Sequence, residues 1–349
     1  MDDVRNTKEM VFDVVVIGAG IEGSAAAYYS ARDGRRVLLL EQYSLPHTRG
    51  SSHGGSRITR LAESDERFQK FSSESYALWE ELEKETKTEL LRKVGMLISN
   101  DGWEDLSESC YAVNGQVRSW FGADVDKGEF VKRGGVLHDE EKMLEIVPGA
   151  MVTVKTNRSE YQTRSVILAP GPWASTVIKQ LGLNISLQVH LAYHIFWKER
   201  VQGTYSEFPV FNDLDKDGIA YSGCPSNEYP GLMKIGKRMS TPIDDPDSRD
   251  QTDEQQDLDV LRDYIREHFP GLDADNGPAI KEACLVTEAP DQTFIIDVHP
   301  SYSNIAIGCA FAGGGFMYAP IVGRLLSQLA EGVQPQLDIS LFSISRFEK

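Results

Sequence analysis

The run Phe12-Asp13-Val14-Val15-Val16-Ile17 is apolar and β-branched apart from one aspartate. That pattern predicts a strand covered on both faces in a parallel sheet. It leads straight into Gly18. From Ser24 to Asp33 the residues are mostly helix formers, and Gly34 follows as a C-terminal stop. Val37-Leu38-Leu39-Leu40 is a second unbroken apolar run, ended by Glu41. Strand, helix and strand make one βαβ unit, whose crossover is expected to be right-handed. Between residues 64 and 92, apolar residues recur at helical spacing among many charges, which predicts an amphipathic surface helix or helix pair. The stretch from about 101 to 135 is polar and shows no period from which elements can be placed.

From Met151 a short meander follows: Val152 to Thr156, a turn at Asn157-Arg158-Ser159, then a segment whose apolar end, Val166 to Ala169, reads as a buried strand. Residues 186 to 240 hold aromatic, alternating stretches separated by Pro and Gly, which predicts an antiparallel or mixed sheet and a second structural unit. An acidic loop at 244–254 leads into a helix over Gln255 to His268. The last third repeats the opening logic. Phe294 to His299 and Asn304 to Phe311 read as strands, Gly313-Gly314-Gly315 as a turn, and Ile321 to Gly332 as a helix, so the chain is expected to return to its first unit.

Composition narrows the function classes. The chain has 349 residues, a length that suits two interleaved domains better than one core. With 36 basic and 53 acidic residues its formal net charge is −17, which repels nucleic acid and anionic membranes. Cys110, Cys224, Cys284 and Cys309 lie far apart with no C-x-x-C pair, so neither a zinc motif nor a secreted disulfide framework is expected, and the chain reads as intracellular. No apolar run reaches the roughly 18 residues of a membrane span, and none has the form of a signal peptide. The C-terminus, Ser345-Arg346-Phe347-Glu348-Lys349, is not an S-K-L type of peroxisomal address, which leaves the cytoplasm open as a location.

Gly18-Ala19-Gly20-Ile21-Glu22-Gly23 matches G-x-G-x-x-G. In that motif the first glycine makes the turn, the second admits a pyrophosphate and the third lets helix and strand pack closely. The helix start then faces the phosphates with free N–H groups and the positive end of its dipole. Glu41, 18 positions beyond Gly23, stands at the end of the second strand, where a carboxylate accepts hydrogen bonds from ribose hydroxyls. A glycine motif alone does not separate FAD from NAD. The segment Gln42 to Arg60 does, because a nicotinamide unit usually runs directly into its next helix, whereas this one is a long polar loop with donors at Ser51, Ser52, His53 and Arg57. Such a loop suits close approach to an isoalloxazine and its phosphates. Gly313 and Gly315, in the second strand, glycine turn and helix pattern, are further cofactor-facing candidates.

With these residues in place the chain resembles the sarcosine oxidase family of flavoprotein amine oxidases, most closely its peroxisomal sarcosine and L-pipecolate oxidase branch. GAGIEG, VLLLEQYSLPHTRGSSHGGSRITR, VTVKT, APGPW, EYPGLMK, ACLVTEAPDQTFIID and FSISRF all stand in family order. The resemblance implies an α/β fold: an FAD-binding Rossmann-like domain of glutathione-reductase type with an interleaved mixed-sheet substrate domain. The expected division is 10–65, 130–183 and 286–335 for the FAD-binding domain, and 66–129 and 184–285 for the substrate domain. It implies that FAD is held covalently through Cys284, whose thiolate would attack the flavin 8α-methyl group; taken alone, a single cysteine reads as an inert buried residue. Lys234 corresponds to the family lysine beside the flavin, an ammonium that stabilises the anion formed when oxygen takes its first electron. Arg57 and Arg60 correspond to the two family arginines, Arg57 favouring the reduced flavin anion and Arg60 binding a substrate carboxylate. The implied reaction takes a secondary amino acid to an imine and oxygen to hydrogen peroxide, in a protein expected to be a monomer.

Several positions depart from the family pattern. Where the family reads G-F-S-G-H-G-F-K, this chain has Ala310 to Met317, so that Gly314 replaces a histidine and Met317 replaces the lysine that helps to hold the carboxylate. Val286 stands where a pocket tyrosine is common and Arg238 where a histidine follows the lysine segment. The region from Trp103 to Val136 looks short. The losses point either to a larger, more apolar amine, with Met317 at the substrate, or to a catalytically impaired flavoprotein. Ser51 and His53 do not form a hydrolase triad, since no G-x-S-x-G elbow is present. His190 and His194 lie four apart in a strand-like stretch without an acidic ligand motif and read as structural.

Overall fold

In a computed structural model of the chain, the described residues are 11–61, 66–99, 115–118, 122–237, 241–251 and 255–347. Strand β1 (Phe12–Ile17), helix α1 (Ile21–Arg32) and strand β2 (Val37–Leu40) form the expected opening unit, and β3 (Arg57–Arg60) ends the loop that follows. Helix α2 (Glu66–Thr86) precedes β4 (Leu91–Lys93), β5 (Met96–Ser99), β6 (Gly115–Arg118), helix α3 (Gly122–Lys132) and β7 (Val136–His138). The meander is β8 (Met143–Val147), β9 (Val152–Thr156) and β10 (Glu160–Leu168), followed by α4 (Ala174–Gln180). Then come β11 (Gln188–Lys198), β12 (Val210–Leu214), β13 (Ala220–Tyr229), β14 (Leu232–Lys237), β15 (Thr241–Ile243) and helix α5 (Gln255–His268). The chain closes with β16 (Ile280–Glu288), β17 (Ile295–His299), β18 (Tyr302–Cys309) and helix α6 (Gly315–Ala330).

Two large sheets result. The first has the order β17-β18-β10-β1-β2-β7, with β8 and β9 attached through β10. Its central pairs, β18 to β10, β10 to β1, β1 to β2 and β2 to β7, are parallel. All four residues of β2 are buried and β1 is buried throughout except at Asp13, as a sheet with layers on both faces requires. The return of the C-terminal third to this unit is seen in the pairing of β18 with β10 and in the packing of α6 on α1, where Ser30 Oγ meets Ser327 Oγ at 2.9 Å. The second sheet has the order β15-β11-β14-β13-β12-β5, with β16 along β11. Its residues alternate: Ile195, Trp197, Met233 and Ile235 pack with Leu258, Leu261 and Ile265 of α5 in one core. Lys234, between two of these, therefore faces the other way, toward the first unit. A small sheet, β3-β6-β4, lies apart.

Helix α2 differs from its expected place. It is a single helix, and Phe71, Leu78, Trp79 and Leu82 are buried in the core shared with α1 and α6, so it packs with the first unit rather than on the surface of the second. Its other face, with Lys70, Ser73, Glu81 and Lys84, stays exposed, as in the amphipathic surface helix expected. The expected boundary at 285/286 falls inside β16, which pairs with β11 without interruption from Ile280 to Glu288. Arg238, Cys110 and, from the region that looked short, residues 103–114 and 119–121 lie outside the described residues.

Candidate active site

The glycine turn begins the site. Gly18 has φ +97°, and a Cβ there would lie 2.3 Å from the Ala169 carbonyl oxygen, while a Cβ on Gly23 would lie 1.9 Å from the Gly18 oxygen. The turn and the helix contact are thus closed to any side chain. Glu41 folds back onto this turn: its Oε2 accepts the Ala19 N–H at 3.0 Å, its Oε1 accepts the Tyr43 N–H at 3.1 Å, and His47 Nε2 lies 3.3 Å away. Burial raises the Glu41 carboxyl, but His47 and these two N–H groups outweigh it and hold the group below the usual carboxylate range. Glu22, inside the motif, lacks such help, and burial pushes it up to about 7 against the pull of its own N–H and of Arg57.

The loop from 42 to 56 curls around Arg57. The guanidinium donates to the carbonyls of Ser56 at 2.9 Å, of Ser51 at 3.0 Å and of His53, and it stands 5.1 Å from the centre of the Phe316 ring. Ser52 Oγ accepts the Ile21 N–H at 3.0 Å, so it caps the start of α1, while Ser51 contributes its carbonyl. His53 is buried, with Nδ1 at 3.1 Å from the Gly50 carbonyl, and burial together with Arg57 lowers its imidazole to about 4.

The second sheet supplies the opposite wall. Register pairs Ala192 with Cys284 and His194 with Glu282, so Cys284 and His194 are diagonal neighbours on one face. Cys284 Sγ approaches the Ser51 carbonyl at 3.7 Å, and burial raises its thiol pKa while Arg57 and Lys234 pull it down. Lys234 pairs with Phe196, and its Nζ donates to the Ser56 carbonyl at 3.1 Å with Glu228 at 3.9 Å. Burial, with Arg57 second, lowers its ammonium below the usual lysine range. Glu228 also accepts Ser56 Oγ at 2.6 Å and the Gly55 N–H, which clasps the loop to the sheet. That contact requires glycine at 55, where a Cβ would lie 2.8 Å from Glu228 Cγ.

These elements enclose a cavity of about 540 Å³. Its lining runs from Glu41 and Trp173 past Gly18 and Gly20 to Ser51, Ser52, His53, Arg57, Cys284, Gly313 and Gly315. Gly23 packs behind the turn. Lys234, Arg60 and Met317 do not line it; Lys234 Nζ is held at the Ser56 carbonyl, next to the lining residue Arg57, and the Arg60 N–H points at Met317 Sδ at 3.4 Å. The residues present fit FAD on three counts. The cavity is long, α1 and α6 both begin at it, and two of its polar atoms, His53 Nε2 and Thr287 Oγ1, are buried without hydrogen-bond partners among the described residues. Glu22, His194, Thr287 and Glu228 were not singled out as site residues from sequence. For Glu228 the available signal was an acid beside the Pro230-Gly231 turn that joins β13 to β14.

Comparison with known proteins decides the family. A model described as FAD dependent oxidoreductase (DAO) matches residues 13–129 and 127–329. The human protein named peroxisomal sarcosine oxidase is 35% identical over 379 positions, covering 97% of this chain and 96% of that one. The monomeric sarcosine oxidase of Bacillus sp. (strain NS-129) is 34% identical over 379 positions, covering 96% and 97%. The chain belongs to the sarcosine oxidase family. It is therefore an FAD-dependent amine oxidoreductase, with an α/β fold of the DAO type. The solved structure of NikD, an unusual amino acid oxidase essential for nikkomycin biosynthesis, superposes with a TM-score of 0.86 over 95% of this chain and 97% of that one, at 22% identity. The 379 aligned positions against 349 residues leave at least 30 with no counterpart in this member of the family. No helix among the described residues is long and apolar enough to cross a membrane.

Proposed function

We propose that the chain oxidises secondary amino acids of the sarcosine and L-pipecolate type, converting the amine to an imine and oxygen to hydrogen peroxide, with FAD linked through Cys284 Sγ. The observation that carries this reading is a single cavity in which the dinucleotide turn, Arg57 and Cys284 meet. FAD supplies the two-electron chemistry; the chain supplies binding and electrostatics. Glu41 would hold the ribose, and the N-terminus of α1 would hold the pyrophosphate. Arg57, held by three carbonyls, brings a fixed positive charge to the cavity, which stabilises negative charge that develops on the cofactor. Lys234 adds a second cation at the Ser56 carbonyl, suited to oxygen reduction. Arg60 serves the substrate carboxylate in this reading, from β3 beyond the residues that line the cavity.

Val286, in the cavity lining, favours an amine with a larger apolar substituent than sarcosine. The names of the human and mouse relatives support peroxisomal residence, and a monomer is the proposed state. Peroxide release by the purified flavoprotein, measured across sarcosine, L-pipecolate and bulkier N-alkyl amino acids, tests the proposal. Turnover of at least one is expected, and peroxide from none of them would reject an oxidase of this class.

A further inference from the structure

His53, His194 and Cys284 each bring one ligand atom to the cavity wall, and the three atoms lie within 4.8 Å of one another. His53 comes from the cofactor loop, while His194 and Cys284 come from β11 and β16, so sequence spacing gives no hint of the group. Two imidazole nitrogens here, His53 Nε2 and His194 Nδ1, are buried with no hydrogen-bond partner among the described residues. Burial, with nearby cations, lowers His53 to about 4 and His194 well below its ordinary value, which favours the uncharged rings. Neutral imidazoles with free lone pairs beside a thiol are a soft-metal donor set.

The surroundings select the ion. Arg57, Lys234 and Arg249 all act on this group electrostatically. A divalent ion bound to one thiolate would leave a net positive charge among those cations. A monovalent ion bound to the same thiolate and two neutral imidazoles leaves none. Trigonal coordination at bond lengths of about 2.0–2.3 Å, as for similar first-row ions, spaces the ligand atoms about 3.5–4 Å apart. No two of these atoms are more than 4.8 Å apart, so the group needs to close by at most about 1.3 Å.

We propose that the flavin-free chain holds one soft monovalent metal ion, Cu(I) or its analogue Ag(I), through His53, His194 and Cys284. The thiol proton leaves to solvent on binding and no electron is transferred. Resting on the Cys284 linkage reading, one consequence follows: ion and cofactor compete for the same sulfur, so the metal blocks holoenzyme formation.

The test uses full-length chain produced under riboflavin limitation, titrated with Cu(I) against the chelator bicinchoninate. One tight equivalent is expected, with X-ray absorption showing two nitrogen ligands and one sulfur. His53→Gln, His194→Gln and Cys284→Ser should each weaken binding at least tenfold, while Cys309→Ala leaves it intact. Sulfur-only coordination in the wild-type chain, which needs no variant to fold, or wild-type affinity in both histidine variants, would overturn the site. The consequence is read separately by adding FAD to the Ag(I)-loaded chain. Loss of acid-stable flavin uptake is expected; uptake with the ion retained overturns the competition and the Cys284 linkage while leaving the ion site standing.

Discussion

Replacing Glu228 by alanine removes the clasp between the cofactor loop and the second sheet. The carboxylate accepts Ser56 Oγ at 2.6 Å and the Gly55 N–H, and its side chain is only 8% exposed. Hydrogen bonds to a charged, buried acceptor are worth about 1.5–3 kcal/mol each. Lys234 Nζ, at 3.9 Å, sits at the limit of an ion pair, so the two hydrogen bonds dominate. Together with a donor left unsatisfied, Glu228→Ala is expected to cost about 3–5 kcal/mol, the range found when one partner of a buried charged group is removed. Glu228→Gln keeps one carbonyl acceptor and should cost about half as much. Urea unfolding of both variants and of Ser56→Ala, with the matching double variant, measures the losses and the Ser56 coupling. A Glu228→Ala chain within about 0.5 kcal/mol of wild type, or a cycle with no coupling to Ser56, would refute the clasp.

Other predictions follow from single residues. Glu22 keeps its proton to about pH 7 when folded against 4.5 as the ordinary value, so between those limits the unfolded state releases a proton that the folded state retains. Stability in the flavin-free chain is then lost as pH rises through this window, and Glu22→Gln should gain up to about 3 kcal/mol above pH 7, shrinking to nothing near pH 4.5; a pH-independent difference in unfolding free energy contradicts this. Ala310 has φ +60°, so Ala310→Gly should stabilise by about 1 kcal/mol in denaturant unfolding, and destabilisation would remove the strain argument. Trp79, fully buried with Nε1 donating to the Met317 carbonyl at 3.3 Å, should cost about 3–5 kcal/mol as Trp79→Ala, read as a fall in urea midpoint. Cys284→Ser should release all its flavin on acid precipitation, while the wild-type pellet stays yellow.

The fold was legible both where strands are buried on two faces and where one face alternates, as at Val152–Thr156 and the helix Gln255–His268. β1 and β2 are unbroken apolar runs because layers cover both sides of the first sheet, and Gly18 marks the turn because no side chain fits beside Ala169. The small sheet was invisible, since Arg57–Arg60, Leu91–Lys93 and Gly115–Arg118 are short and polar. Helix α2 was legible as amphipathic, and only its assignment to the second unit, which came from the resemblance, differs. At the site, Glu41, Ser51, His53, Arg57 and Cys284 do share one cavity. The Ser52 hydroxyl accepts from Ile21 and keeps its own O–H to donate. His194 read as structural because its nearness to Cys284 depends on the β11 and β16 register, across 90 residues of chain. Neither composition nor spacing carries that information.

This chain oxidises secondary amino acids through a bound flavin. Anaerobic titration of the purified yellow protein with sarcosine and L-pipecolate, followed by admission of oxygen, tests it most directly. Bleaching of the flavin absorbance near 450 nm by at least one of them, with full recovery and one peroxide per flavin on aeration, is the predicted result. A flavin spectrum unchanged by either amine, in protein that still retains its cofactor, would contradict it.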